Sequence, residues 1–423
     1  MSRRPDGPTW PAEPGPGLGL KVMLPFAAAY FLSYVYRSIN AIVAPHLIAD
    51  FALSSAELGL LTSVFFLAFA SFQLPLGILL DRVGPRRTNA ALLVIAASGA
   101  LVFASSHTLW GLVAGRALIG FGMSGCLMSS IKAVTVWFPP QRLPANTGWV
   151  MFAGGFGAMF ATVPIEAAQL IAGWRGIFVI IAFLTITASA ALFFISPERS
   201  SDQPPETLAE QWRGMMQVFG SAVFRRIAAV SAIFQAVNMS LQGLWAGPWL
   251  SDVAAYSRSG VALSLLGLAA ATTVGFLFWG IAATRLADRG ITPVRLFKIG
   301  TSIFVLAQLP LVLGVGNGAW FYWVVFGLCG TSGSLAYTIL SRSFPVTMTG
   351  RANTALNLLV FLGAFTCQWV FGEIVNLWPA ADGMYHPQGY RAAFATLFAL
   401  ELAALVWLLS AARLPNSAVR QFD

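Results

Sequence analysis

The chain has 423 residues, of which 57% are hydrophobic and 10% charged, with a formal net charge of +9. A mean hydropathy of +0.74 and a charged fraction far below the roughly 25% of a soluble domain mark a membrane protein. Apolar stretches of about 20 residues recur from end to end, which excludes a large soluble domain and favours a polytopic helical protein over a barrel.

The first 20 residues, MSRRPDGPTWPAEPGPGLGL, are rich in Pro and Gly and carry no apolar segment followed by a small-residue cleavage site, so they read as a disordered cytoplasmic tail. Twelve spans are predicted at 22–45, 56–80, 88–106, 109–137, 145–171, 174–196, 222–250, 259–284, 293–314, 318–344, 352–378 and 389–412. The fold class is therefore all-α polytopic, with twelve transmembrane helices in two six-helix pseudo-repeats. The expected bundles cover 21–197 and 221–413, joined by a cytoplasmic linker at 198–220 that ends in an amphipathic stretch, Leu208 to Val218, and a short tail covers 414–423.

Sorting the basic residues by loop accounts for the positive charge without nucleic acid. Even-numbered loops and the linker hold Arg82, Arg86, Arg87, Arg142, Arg199, Arg213, Arg225, Arg226, Arg285, Arg289, Arg295, Lys298 and Arg351, whereas odd-numbered loops hold only Arg175, Arg258 and Arg391. Both termini are expected in the cytoplasm, with the chain in the cell (inner) membrane. Cys126, Cys329 and Cys367 all lie in apolar segments, where they read as small packing residues.

The halves repeat. At a spacing of 203, Pro45 answers Pro248, Gly77 answers Gly280 and Arg82 answers Arg285; at 207, Ala145-Asn146-Thr147 answers Ala352-Asn353-Thr354, and Glu166 answers Glu373. GWRGIF from Gly173 then answers GYRAAF from Gly389. Parallel six-helix repeats point to a transporter with its site near the midplane between the halves.

GILLDRVGPRR, Gly77 to Arg87, resembles the signature between the second and third spans of the major facilitator superfamily, with Pro85 inserted before the arginine pair; GIAATRLADRG, Gly280 to Gly290, is similar to its degraded second copy, with Thr284 replacing the acid. The resemblance spans Lys21 to Arg413 and implies alternating access, with Gly77, Asp81, Arg82, Gly84 and Arg86 in a latch that holds the outward-facing state. Read as residues alone, Gly77 permits close helix approach, Gly84 a tight turn, and the arginines also satisfy the positive-inside pattern.

At helical spacing the first span carries Tyr30, Ser33, Tyr34, Arg37, Asn40 and Ala41 on one face, and the seventh carries Gln235, Asn238, Met239, Gln242, Trp245 and Trp249. These stripes make Arg37, Tyr34, Asn40, Tyr30, Gln235, Asn238, Gln242 and Trp245 the candidate substrate-binding residues. An intramembrane arginine costs about 2.5–3.5 kcal/mol on insertion scales, so Arg37 is either an anion ligand, its planar fork taking a carboxylate, or the partner of a buried acid. Its repeat counterpart is the neutral Ser240. Arg116, in GRALIGFG, resembles the superfamily's fourth-span arginine, which the resemblance connects with proton coupling; helix packing explains Gly120 and Gly122 equally well. Glu166 and Glu373 are candidate proton carriers or structural groups at the two half-interfaces.

YRSINAIVAPHL is similar to the first-span segment of the organic-anion branches of the superfamily. The second arginine expected in span seven of the phosphate antiporters is missing, which favours a small monocarboxylate carried by a secondary transporter, with protons as the candidate coupling ion. A drug:proton antiporter is the main rival, though the fifth span lacks its Gly-Pro pair. Cu(I) uptake through Met123, Cys126, Met128 and Met239, and a non-transporting receptor, are further alternatives. No enzyme motif, cofactor site or metal site is evident, and a monomer in the lipid bilayer is expected.

Overall fold

The computed structural model describes residues 15–138, 143–198, 207–287, 289–344, 346–380 and 384–410. Its regular elements are helices. The first span comprises α1 (Pro16–Ser38) and α2 (Asn40–Phe51), the second α3 (Ser55–Ser71) and α4 (Gln73–Arg82), the third α5 (Pro85–Ser105), and the fourth α6 (Leu109–Met123) and α7 (Cys126–Trp137). The fifth is α8 (Leu143–Phe160) continued by the start of α9 (Val163–Phe194), which turns at Gly173, φ 64°, into the sixth. A linker helix, α10 (Leu208–Gly220), leads to the second half.

There the seventh span is α11 (Ala222–Ser240), a π turn at Leu241–Trp245 and α12 (Ala246–Asp252). The eighth is α13 (Arg258–Ala287), and the ninth is α14 (Pro293–Ala307) with α15 (Leu309–Val312). The tenth is α16 (Ala319–Gly330), a 3-10 turn at Thr331–Ser334 and α17 (Leu335–Ser343); α18 (Val346–Val375) and α19 (Pro387–Ser410) complete the set.

Among the described residues ten helical stretches are long and apolar enough to cross a membrane. Of the twelve spans, the second, broken at Phe72, and the fifth, broken near Thr162 before it runs into the sixth, are the two without a stretch of their own in that set. The first helix starts at Pro16, ahead of the predicted boundary at Lys21; residues 1–14 and the tail beyond Ser410 lie outside the described residues.

The interruptions follow the repeat. Ile39 breaks the first span, and its counterpart 203 residues on, Gln242, lies in the π turn of the seventh. Ser124 and Gly125 break the fourth, and Thr331, 207 residues after Ser124, opens the 3-10 turn of the tenth. Short hydroxyl side chains and glycines offer the backbone alternatives to i→i−4 bonding, so these sequences loosen the ladder where the halves meet. Discontinuous helices at the repeat interface are the usual setting of a transporter's binding site.

Close approach elsewhere depends on residues without bulk. A Cβ on Gly120 of α6 would lie 2.2 Å from the Phe65 carbonyl oxygen in α3, and one on Gly122 would lie 2.4 Å from the Ala96 nitrogen in α5. The glycines after Arg116 thus lock spans two, three and four by backbone contact. Between the halves, span two packs on span eleven, where the Phe69 and Phe361 rings stack at 4.1 Å, and span five packs on span eight, where Gly155 faces Thr273. Gly120→Val is expected to lower folding stability by about 1–3 kcal/mol through overpacking, read as a reduced melting temperature in detergent; an unchanged melting temperature would contradict the close-packing account.

Candidate functional site

The break at Ile39 leaves Tyr34 and Arg37 in the last turn of α1, half-buried on the side facing the second half. The Arg37 guanidinium carbon lies 4.3 Å from the centre of the Tyr34 ring and 5.5 Å from that of Phe361 on α18. Two aromatic faces from opposite halves therefore flank the cation, each worth about 1–2 kcal/mol when desolvated. Among the described residues no carboxylate lies within ion-pair distance of it, and its Nε is buried without a hydrogen-bond partner. The expected alternative of a buried acidic partner is not met there.

Across the interface Tyr337, on α17, lies within electrostatic reach of Tyr34 and Arg37 and donates its hydroxyl to the Asn357 side-chain oxygen at 3.2 Å. Tyr337 and Asn357 are half-buried, as Arg37 is. Together Arg37, Tyr34, Tyr337, Asn357 and Phe361 make up the candidate solute chamber, a cluster with one fixed positive charge, a phenol, an amide and aromatic neighbours. Its C-terminal members were missed by the sequence reading because Tyr337 stands alone in LAYTILSRS and Asn357 lies in NLLVFLG, with no stripe to single them out.

The structure separates the other predicted site residues. Tyr30 packs edge-on against Tyr34 at 5.1 Å and turns its hydroxyl toward the Met151 sulfur, so it supports Tyr34 from behind. Asn40 is fully buried and donates to Thr62 at 3.1 Å, tying span one to span two inside its own half. Asn238 faces Gly330 and Phe304 inside the second half. Trp245 is fully buried, donates to the Gln368 carbonyl at 3.0 Å and stacks on Phe371 at 4.8 Å. Asn40, Asn238 and Trp245 therefore sit outside the chamber; the helical breaks rotate the stripes that an uninterrupted helix would keep together. Gln235 bonds to Ser231 at 2.8 Å, and Gln242 lines a small cavity with Ser38, Ala41, Ala158 and Thr162, next to the chamber.

The coupling candidates part company as well. Arg116 is 1% exposed, donates to the Tyr36 carbonyl at 2.9 Å and lies 5.0 Å from the Phe65 ring. It holds the first span just before its break. Glu373 is exposed and, among the described residues, accepts only from Trp369 on its own helix, at 2.9 Å, whereas Glu166 pairs with Arg258 of the opposite half at 3.3 Å. Positions equivalent in the repeat thus differ in surroundings. A further buried acid, Glu401 in span twelve, is joined to Gln308 of span nine; the lone acid in FALELAAL was its sequence signal.

In the signature loop Gly84 takes φ 86°, a left-handed conformation that fits glycine. Arg86 bonds to the Ser196 carbonyl at 3.1 Å and, with Arg87, to Glu198 at 2.8 and 2.9 Å, all within the first half and the first residue of the linker that leaves it. Gly77 is half-buried and Arg82 exposed, while the Asp81 side chain lies outside the described residues. Of the sulfur groups, the Cys126 thiol meets the Met123 sulfur at 3.7 Å in the first-half core, whereas Met128 turns away to pack with Leu76, Leu80 and Leu92.

Four polar contacts join the halves at the end away from the linker. Ser55 donates to the Gly372 carbonyl at 2.9 Å, Tyr385 to the Leu53 carbonyl at 3.1 Å, and Arg258 contacts both Glu166 and His46. With Ala41, Leu47, Leu58, Leu244 and Leu250 buried beneath them, this far face is closed over the chamber.

The comparisons with known proteins fit this geometry. The family model described as Major Facilitator Superfamily matches residues 26–366. The chain belongs to that superfamily. A solved structure of a bacterial homologue of the human lysosomal transporter Spinster, inward-facing and unoccupied, superposes with a TM-score of 0.72 over 94% of this chain and 95% of that one, at 17% identity, which shows the shared fold. The nitrate/nitrite transporter NrtP of Picosynechococcus is 34% identical over 31% of this chain and 25% of its own length. The probable L-galactonate transporter of Escherichia coli is 28% identical over 42% of this chain and 39% of its own length. These two alignments span less than half of either relative, and both belong to transporters. Membership of the Major Facilitator Superfamily makes the chain a multi-pass membrane protein of a transporter superfamily.

Arg116 serves α1 and not the chamber, so Arg116→Gln should cost about 1.5–3 kcal/mol for a charge-assisted hydrogen bond and lower the melting temperature. The KM of solute uptake by the surviving folded protein should be unchanged; a KM shift at full stability would return Arg116 to the transport machinery.

Proposed function

We propose that the protein carries a small organic anion, most simply a monocarboxylate, with Arg37 as its charge ligand. The single observation behind this reading is a guanidinium at mid-span, on the interface between the halves, that has aromatic neighbours but no carboxylate partner among the described residues. A charge of this kind inside a membrane is costly, and a carboxylate seated on its fork would satisfy it bidentately. Tyr337 and Asn357 would then supply hydrogen bonds from the other half, so that the solute itself bridges the two bundles.

One positive charge suits a singly charged solute. Ser240, the repeat counterpart of Arg37, is fully buried and offers no second cation. Relatives named as L-galactonate and nitrate/nitrite transporters carry singly charged anions in their names, which supports the same class. The drug:proton antiporter alternative would need a site able to hold a cation or neutral amphiphile, and a bare guanidinium disfavours it.

In this reading the linker face is cytoplasmic, both termini lie inside, and the membrane is the cell (inner) membrane. The far face, closed here, is the outer gate; solute reaches Arg37 from the cytoplasmic side in this state. The Asp81 loop would engage only when the halves rock the other way and the linker face closes, which accords with Arg86 and Arg87 being tied to their own half here. Transport is expected of the monomer.

A thermal-shift screen of the purified protein against small carboxylates, phosphates, amines and Cu(I) should find stabilisation by monocarboxylates that Arg37→Ala abolishes. In proteoliposomes the same variant should lose uptake of the stabilising anion while inserting normally; uptake with unchanged apparent affinity would overturn the ligand role. Asp81→Asn should lower the maximal rate of uptake more than it raises KM, and a pure rise in KM would contradict a latch.

A further inference from the structure

The far face holds a charge cluster that the sequence reading saw only in part. Arg258, at the start of α13, reaches across to the first half with its Nε 3.3 Å from Glu166 Oε1, and its Nη2 meets the His46 ring. His46 lies on α2, one turn before Asp50. Asp50 in turn accepts from the Trp174 indole at 2.8 Å and from Arg175 at 3.0 Å, both in α9. The second half repeats part of this arrangement: Asp252 accepts from the Tyr390 hydroxyl at 2.8 Å and from the Tyr385 main-chain nitrogen at 3.2 Å. Each half thus anchors an acid at the far end of its first span on the aromatic that opens its last span, and Arg258 is the charge that crosses between the anchored ends.

We propose that His46, Glu166 and Arg258 form a proton-sensitive latch: Arg258 keeps the far face closed while His46 is neutral, and protonation of His46 ejects it and favours opening of that face. An imidazole accepts from a guanidinium only through an unprotonated nitrogen. Once the imidazole carries charge as the guanidinium does, the contact turns from a hydrogen bond into a repulsion at contact distance. The Ser55 and Tyr385 hydroxyls that donate in the other two contacts stay neutral in this range, so the contact of Arg258 with His46 and Glu166 is the one that carries charge across the gate.

The groups facing His46 bear out this assignment. Asp50 is on its own helix, with its charge engaged by Trp174 and Arg175 of α9; Glu166 of α9 faces Arg258; Asp252 of α12 is taken up by Tyr390 and Tyr385; and Glu57 of α3 caps its own helix through Ser54. A base in contact with a guanidinium in the closed state, and freed of it when the face opens, binds its proton preferentially in the open state. The closed state is therefore favoured where imidazole is neutral, above about pH 6.5, and loses that advantage as pH falls below it.

The proposal rests on the alternating-access reading but not on the solute, and its test needs none. Spin labels at His107→Cys and Asn317→Cys, exposed positions on far-face loops of opposite halves, report the opening by double electron–electron resonance in lipid nanodiscs. Cys126, Cys329 and Cys367 are buried, and the unsubstituted chain supplies the labelling control. Between about pH 7.5 and pH 5.5 the long-distance population should grow several-fold. His46→Gln should abolish that step, and Arg258→Gln should raise the long-distance population at both pH values and remove the step as well. A step of full size in His46→Gln, or no step in the unsubstituted background, overturns the latch, whereas the anion reading stands or falls separately on Arg37.

Discussion

The structure turns on a positive charge that no described residue neutralises. Arg37 occupies the last turn before a break in the first span, between the Tyr34 and Phe361 rings, with no carboxylate partner among the described residues. Burying a guanidinium in a bilayer costs several kcal/mol unless it is paired or reaches water. Two ring faces offset part of that cost, and exposure to the interface between the halves offsets more. In the proposed reading, what remains is a preference for an anion, located where the two bundles meet. That location couples occupancy to geometry, because an anion held by Arg37 on one side and by Tyr337 and Asn357 on the other bridges both halves.

Arg116 shows what the same side chain does when its role is structural. It is fully enclosed, donates to a main-chain carbonyl and lies over a phenylalanine. Its carbonyl acceptor belongs to Tyr36, next to Arg37, so one arginine fixes the turn from which the other projects. The two differ in surroundings, not in chemistry: one faces a helix of its own half, the other faces the opposite half. The glycines after Arg116 extend the same construction, bringing span four against spans two and three so closely that the backbone of α1 has a rigid wall behind it.

Much of this was legible in the chain. Hydropathy, the loop charges and the 203- and 207-residue spacings led to the twelve spans and the two halves, because each rests on physics averaged over many residues, and the resemblance of GILLDRVGPRR pointed to the family. The breaks were also written there, in Ser124-Gly125 and in Thr331-Ser332-Gly333-Ser334, but their effect on side-chain direction was not. A stripe projected on an ideal helix placed Asn40, Asn238 and Trp245 beside Arg37, and the interruptions at Ile39 and Leu241–Trp245 turned them into intra-half contacts. Tyr337 and Asn357 were hidden for the converse reason, since their proximity to Arg37 is tertiary and leaves no local pattern. Glu166 and Glu373 looked alike by repeat, yet only Glu166 meets a cation from the other half. The pairing of Asp50 with Trp174 and of Asp252 with Tyr390 was latent in GWRGIF and GYRAAF, but naming the acids required the fold.

The most direct test of the central claim is a structure of the protein determined with its stabilising anion bound. The account predicts the anion's carboxylate within hydrogen-bond distance of the Arg37 guanidinium, with Tyr337 or Asn357 contacting the same molecule from the second half. An anion seated away from Arg37, or an Arg37 that pairs with a protein carboxylate while the anion is bound, would contradict it.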